Sequence, residues 1–277
     1  MDTVQRSPTI ADLNLAVVMS LSGRVALVTG GGIGIRFNIA KTFAANGAKV
    51  YITGRRLDVL EKAAASVTGV PGSVIPLQMD VTELSRSAPS TLRTSMDTSI
   101  SSLTLLDSPD AFHNPDFFAK KLAATDPFEP ESIQNWADIF ALNTIGPFFV
   151  VRRAFQSLLT KGTGSRPQGA SSVINVSTVV AKLNPRKPGV MSKAALAKLT
   201  LVLGSSFAGR GIPIRKTGSK YLETLKTKAP PGFVAPIPAR RHGTDAEMRM
   251  SVVYLAVSDY TNGAVLSLDG CASLVNP

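Results

Sequence analysis

A strand that runs straight into a glycine-rich turn and then into a helix leaves a chain few folds to choose from. Residues 25–44 read that way. Val25-Ala26-Leu27-Val28 is a short apolar run of the kind a buried parallel strand requires. Thr29-Gly30-Gly31-Gly32-Ile33-Gly34-Ile35 follows with almost no side chains. Phe37, Ile39, Ala40, Phe43 and Ala44 then recur at helical spacing. Backbone N–H groups and the positive end of a helix dipole make such a turn an anion site. α/β proteins hold a dinucleotide pyrophosphate in this manner. The general spacing G-x-G-x-x-G is absent, because Ile35 follows the pair Gly30/Gly32 and Phe37 follows Gly32/Gly34. A plain βα turn with no ligand is the alternative reading.

The rest of the chain repeats the alternation. Strands are predicted at Lys49–Ile52, Val74–Met79, Leu103–Leu106, Ser172–Val176, Ile212–Arg215 and Ala264–Leu268, with helices at Leu57–Val67, Ser192–Phe207 and Met248–Val257. Trp136, Ile139, Phe140, Asn143, Phe148, Val151, Phe155 and Leu158 predict one long core helix from Ser132 onward, with Pro147 able to kink it. Pro76 is awkward if its strand is central. Strand–helix alternation of this kind predicts an α/β fold: one doubly wound, Rossmann-like parallel sheet with helices on both faces. Residues 1–22 read as an N-terminal arm and 23–277 as a single domain. Ser85–Ser102, 107–131 and the basic, proline-rich 216–245 break the pattern and read as irregular segments.

Composition narrows the function classes. The 277 residues are 44% hydrophobic and 18% charged, which suits a globular chain with a sizeable core. No basic segment precedes a long apolar run near the N-terminus, and Leu15–Met19 is too short to span a bilayer, so a cytoplasmic protein acting away from membranes is expected. A single cysteine and two histidines leave no disulfide and no metal site to expect. The net charge of +11 raises nucleic-acid binding. However, the basic residues fall in scattered pairs such as Arg55-Arg56, Arg152-Arg153 and Arg215-Lys216, without interleaved aromatics. They read as solvated surface, and no nucleic-acid partner is expected.

Several segments, in order, resemble the short-chain dehydrogenase/reductase family over about Leu21 to Leu274. Thr29-Gly30-Gly31-Gly32-Ile33-Gly34-Ile35-Arg36 is similar to its T-G-x-x-x-G-x-G turn, and Met79-Asp80-Val81 to the end of its third strand. Asn143 stands where the family has its helix asparagine. Ile174-Asn175-Val176-Ser177-Thr178 resembles the catalytic-serine strand, and Ser192-Lys193-Ala194-Ala195 the tail of Y-x-x-S-K-A-A. The resemblance implies catalytic roles for Ser177 or Thr178, Lys193 and Asn143. It implies cofactor contacts from Gly30, Gly32, Gly34, Ile35, Asp80, Val81, Asn143 and Lys193, a small carbonyl or alcohol substrate, and a homo-oligomer. After the second strand comes Arg55-Arg56. A guanidinium there suits a 2′-phosphate, so NADP(H) is favoured over NAD(H).

The departures are local. Four residues before Lys193, where the family has a tyrosine acid, stands Gly189, and no Y-x-x-x-K occurs anywhere. Arg36 replaces the third turn glycine, and no N-N-A-G follows Leu106. Two functions stay open on sequence: an oxidoreductase with reduced activity, or a degenerate relative with a nucleotide-binding, scaffold or other non-redox role.

Overall fold

The computed structural model describes residues 14–83, 100–106, 132–161, 171–177, 188–207, 214–218, 238–241, 243–258 and 260–275. Of the irregular segments expected above, 84–99, 107–131 and 219–237 lie outside the described residues, as do residues 1–13 of the arm. Among the described residues, seven parallel strands form one sheet: β1 (Val25–Thr29), β2 (Lys49–Gly54), β3 (Ser73–Gln78), β4 (Ile100–Leu106), β5 (Ser172–Ser177), β6 (Ile214–Gly218) and β7 (Val265–Leu266). Their order is β3-β2-β1-β4-β5-β6-β7. The chain turns back between β1 and β4, and open α/β sheets form a ligand crevice at the carboxyl ends of strands at such a reversal.

Period-two alternation sorts the strand side chains onto two faces. Ala26, Val28, Val50, Ile52, Ile174 and Val176 face one core with α2 (Gly34–Ala45), α3 (Leu57–Ala65) and Asp245–Val257. Leu27, Val173 and Ile214 face the other, with Gly146–Lys161 and Pro188–Phe207. In chain order, the remaining helices are α1 (Leu15–Val18), α4 (Ile133–Phe140), α5 (Gly146–Lys161), α6 (Pro188–Phe207), α7 (Asp245–Val257) and α8 (Ala272–Val275). α6 is long and apolar enough to cross a bilayer by length and composition; here it packs on β5 and β6.

Pro76 is accommodated because β3 pairs only with β2 and forms the sheet's edge. The N–H groups of Ser73 and Met79 bond inward to Ala48 and Gly54. Strand alternation therefore turns residue 76 outward, where its missing N–H breaks no ladder bond.

The long helix expected from Ser132 is not continuous. Ala141–Ile145 is a wide π-helical turn between α4 and α5. Pro147 follows one residue beyond it, after Gly146, and has no N–H to give to the Asn143 carbonyl four residues earlier. Nor does α4 contribute to the core: none of its residues is buried, and Ile133 is 91% exposed. The predicted strands at Leu103 and Ile212 shift to Ile100–Leu106 and Ile214–Gly218, and α6 begins at Pro188 rather than Ser192.

The basic pair Arg215-Lys216 is not solvated surface. Both residues are buried, on opposite faces of β6. Arg215 turns to the α7 side and donates to the carbonyls of Leu255 and Thr261. Arg24 donates to the Ala256 carbonyl at 3.1 Å. Two guanidinium groups thus satisfy carbonyls that the last turn of α7 leaves open. At its start, α7 carries a capping box between Thr244 and Glu247.

Candidate active site

The glycine turn closes β1 as the sequence predicts. Gly31 N–H bonds the Thr53 carbonyl at 3.1 Å, tying the turn to β2. Gly34, the first residue of α2, has φ +60°, a conformation that strains any residue with a Cβ. A Cβ built there meets nothing within 4 Å, so the helix N-terminus looks onto open space. Gly32 instead packs against α3: a Cβ would lie 3.2 Å from Leu60 and Val59. Ile35 is half-buried and packs on the α2 core. Gly30 (φ +61°) lies against Arg36, whose Cδ and Cζ are 3.0 Å from a Cβ built at Gly30. The residue in place of the third glycine therefore folds back over the first.

Around β2 and β3, Arg55 and Arg56 are exposed, Arg55 immediately after β2 and Arg56 just before α3. Gln78 donates to the Arg55 carbonyl at 2.9 Å. The Asp80 carboxylate accepts from both the backbone N–H (2.9 Å) and the hydroxyl (2.7 Å) of Thr82, so it shapes its own turn. Val81 lies beside Gly146, where a Cβ would come 3.3 Å from its Cγ2. The Thr53 hydroxyl, buried at the end of β2, has no hydrogen-bond partner in the structure.

The second half of the site is built by the π turn, β5 and α6. The wide turn buries Asn143. Its amide nitrogen donates to the Ser192 hydroxyl at 2.9 Å, and that hydroxyl donates to the Gly189 carbonyl at 2.8 Å. The single Ser192 proton is thereby committed to Gly189, which fixes the Asn143 amide with nitrogen toward Ser192. Asn143 Oδ1 remains a buried acceptor with no partner. Thr144 donates its hydroxyl to the Ser192 carbonyl at 3.0 Å, a second tie between the π turn and α6.

On β5, alternation turns Asn175 and Ser177 toward α6. Asn175 donates to Thr200 at 2.9 Å, and the Ser177 hydroxyl donates to the Lys193 carbonyl at 3.4 Å, a long bond that leaves it free to turn. Burial, first, and then the charges of Arg36 and Lys216 hold the Lys193 ammonium well below the usual lysine pKa. Thus Ser177 and Asn143 both bond the start of α6, at the Lys193 carbonyl and the Ser192 hydroxyl, at the carboxyl edge that also carries the glycine turn. Thr178 lies outside the described residues. Sequence reasoning missed Lys216; its signal was the apolar Ile212-Pro213-Ile214 just before it, which places the basic pair inside a strand. Among the described residues, no group of three His, Cys, Asp or Glu is placed to hold a metal.

Comparison with known proteins agrees with this architecture. A family model described as short chain dehydrogenase matches residues 24–229. The chain is 31% identical over 274 residues to an oxidoreductase of Caenorhabditis elegans, covering 91% of this chain and 80% of that one. It is 27% identical to the NADP-dependent (R)-specific alcohol dehydrogenase of Lentilactobacillus kefiri, over 90% of this chain and 96% of the relative. Among solved structures, a protein of Beutenbergia cavernae described as an NAD(P)-dependent gluconate 5-dehydrogenase, with NADP bound at low occupancy, aligns with a TM-score of 0.74 at 26% identity, over 91% of this chain and 98% of that one. An NADP complex of RhlG from Pseudomonas aeruginosa aligns with the same TM-score at 22% identity, over 92% of this chain and 98% of that one.

Proposed function

The chain belongs to the short-chain dehydrogenase family, and on that premise we propose that it is an NADP(H)-dependent oxidoreductase of small carbonyl or alcohol compounds. One observation carries the reading: Ser177 and Asn143 bond the start of α6, which carries Lys193, at the same sheet edge as the open glycine turn. The turn fits a dinucleotide, since the space over Gly34 is clear and the α2 N-terminus supplies N–H groups and positive potential. Gly30, Gly32, Gly34 and Ile35 would line the pyrophosphate, Asp80 and Val81 the adenine, Asn143 and Lys193 the nicotinamide ribose. Arg55 and Arg56 would hold the 2′-phosphate. Likeness to an NADP-dependent alcohol dehydrogenase and to an NADP-bound structure supports that choice of cofactor.

When bound, the nicotinamide supplies or accepts a hydride. The chain's own residues do the rest. The Ser177 hydroxyl, with Thr178 next to it in sequence, would turn toward the substrate oxygen and polarise it. The buried Asn143 Oδ1 would hold a water that passes a proton to the product oxygen. No phenol stands a turn before Lys193, because residue 189 is glycine. A general acid contributes about 10²–10⁴-fold, so turnover through water is slower by that order. We read the protein as cytoplasmic and homo-oligomeric, with one catalytic domain over 23–277 after an arm at 1–22. Small molecules, not nucleic acid or membrane, are its partners in this reading.

NADPH fluorescence on titration, followed by NADPH consumption with a panel of small ketones, tests the reading. Saturable binding with slow, protein-dependent turnover is expected. A folded protein that binds neither NADPH nor NADH would sink it. Binding without turnover on any ketone favours a nucleotide-binding role without redox chemistry, a second reading motivated by Gly189 and by Arg36 lying on the turn.

A further inference from the structure

We propose that Thr53 is a positioning residue for the adenine end of a bound dinucleotide, its hydroxyl holding one ordered water beneath the purine. This role rests on the nucleotide binding of the proposed function and adds a residue to that site.

Thr53 is the last residue of β2 with a side chain. The register sets it between Thr29 of β1 and Leu77 of β3. Its carbonyl accepts the Gly31 N–H at 3.1 Å, so its backbone is bonded directly to the glycine turn. One residue on, the Gly54 carbonyl accepts the Met79 N–H at 3.0 Å, which ties the end of β3 to the same strand end. Alternation puts the Thr53 side chain on the face of Tyr51 and Leu77, toward the core that Met79 and Val81 also join. The hydroxyl therefore lies at the crevice end of the sheet. The glycine turn is on one side of it, and on the other is Met79-Asp80-Val81, where the proposed function seats the adenine.

On stability grounds that hydroxyl is out of place. Thr53 is 0% exposed, and its Oγ1 has no hydrogen-bond partner. A buried hydroxyl left unpaired gives up its hydration and gains nothing in return. Valine has the same shape and the same preference for strands, without the polar atom. Other buried threonines are paired: Thr42 donates to the Asn38 carbonyl at 2.7 Å, and Thr200 to the Leu196 carbonyl at 2.9 Å. The Thr53 hydroxyl can both donate and accept, and the ring nitrogens of a purine are acceptors. Full burial keeps a purine from touching Oγ1 itself. One water joins the two, accepting the Thr53 proton and donating to a ring nitrogen. The adenine is common to both nicotinamide cofactors, so Thr53 serves NADH and NADPH alike and takes no part in hydride transfer.

Thr53→Val and Thr53→Ser, each measured without and with nucleotide, are the test. Without nucleotide, Thr53→Val is expected to raise the urea midpoint, because an unpaired polar atom is gone. With nucleotide, it weakens NADPH, NADH and ADP-ribose by one common factor, about 3- to 10-fold. ADP-ribose lacks the nicotinamide, so a common factor sets the loss away from the reacting ring. The KM for NADPH rises by the same factor while kcat holds. Thr53→Ser keeps the hydroxyl and binds all three ligands as the unaltered protein does. A Thr53→Val protein that unfolds at lower urea overturns the proposal, since the hydroxyl is then already paired. Loss of NADPH binding alone also overturns it. A folded protein that binds neither cofactor overturns the proposed function itself, whereas unchanged binding by Thr53→Val overturns only this role.

Discussion

Arg36 lies across Gly30, so the residue that replaces the last glycine of the turn covers the first one. Two effects meet at Gly30: the side-chain contact and the backbone angle of +61°. The left-handed conformation costs a residue with a Cβ about 1–2 kcal/mol, whereas a flexible arginine can move aside at little cost. The backbone term wins. Gly30→Ala is therefore expected to lower stability by about 1–2 kcal/mol, and adding Arg36→Ala should restore little of it. Recovery of full stability in the double variant, by denaturant midpoint, would show that the contact dominates instead.

Ser192 is the hinge of the Asn143–Ser192–Gly189 chain of hydrogen bonds. Ser192→Ala leaves the buried Asn143 amide nitrogen without its acceptor, a loss of about 1–3 kcal/mol. A shifted urea midpoint at unchanged slope is the expected result. A midpoint equal to that of the unaltered protein contradicts the network.

Arg55 decides between the two nicotinamide cofactors in the proposed function. Hydrogen bonds to a charged group contribute about 1.5–3 kcal/mol, so Arg55→Ala should weaken NADPH binding roughly 10- to 100-fold. NADH binding should be unaffected. Equal loss for both cofactors would assign Arg55 a structural role.

Gly189→Tyr places a phenol a turn before Lys193. A gain of about 10²-fold in NADPH-dependent turnover is expected. A variant that folds and binds NADPH without any gain shows that the missing acid is not what limits the reaction.

Acid lability should trace partly to the start of α7. Hydrogen bonds from Arg241 hold the Glu247 carboxyl far below its usual pKa, with further bonds from the Thr244 backbone and hydroxyl. A group depressed in the folded state stabilises fully above its unfolded pKa of about 4.3. That contribution is lost as pH falls through the folded value. The melting temperature should decline below about pH 4, and Glu247→Gln should flatten that limb. The pair is exposed, so added salt should shrink the effect; a pH profile identical in the variant removes Glu247 from the account.

The doubly wound sheet was legible because its signals are local: apolar runs, the glycine turn, and helices ended by Asn46-Gly47 or begun at a capping residue. Pro76 looked misplaced only because a sequence does not announce which strand is an edge. The Asn143 kink was half legible, since Pro147 marks a break but not the wide turn that forms before it. Ser177, Lys193 and Asn143 were named from their motifs, and Ser177 and Asn143 bond the start of the helix that carries Lys193. Lys216 was missed for a physical reason: basic residues almost always reach water, so a lysine inside a strand reads as surface until its neighbours in the sheet are known. α4 was misjudged in the opposite sense, its Trp136 and Phe140 stacking on each other, centroids 6.1 Å apart, outside the core.

Both margins of the sheet are blunt. β7 is two residues long, and β3 turns the imide nitrogen of Pro76 outward, where another strand would look for a donor. Exposed edges with a full row of donors and acceptors recruit strands from other molecules. A chain with 44% hydrophobic residues has reason to avoid that fate. The same proline that looked like an obstacle to folding is thus a guard against the growth of one sheet into the next, and so against fibrous aggregation in a crowded cell.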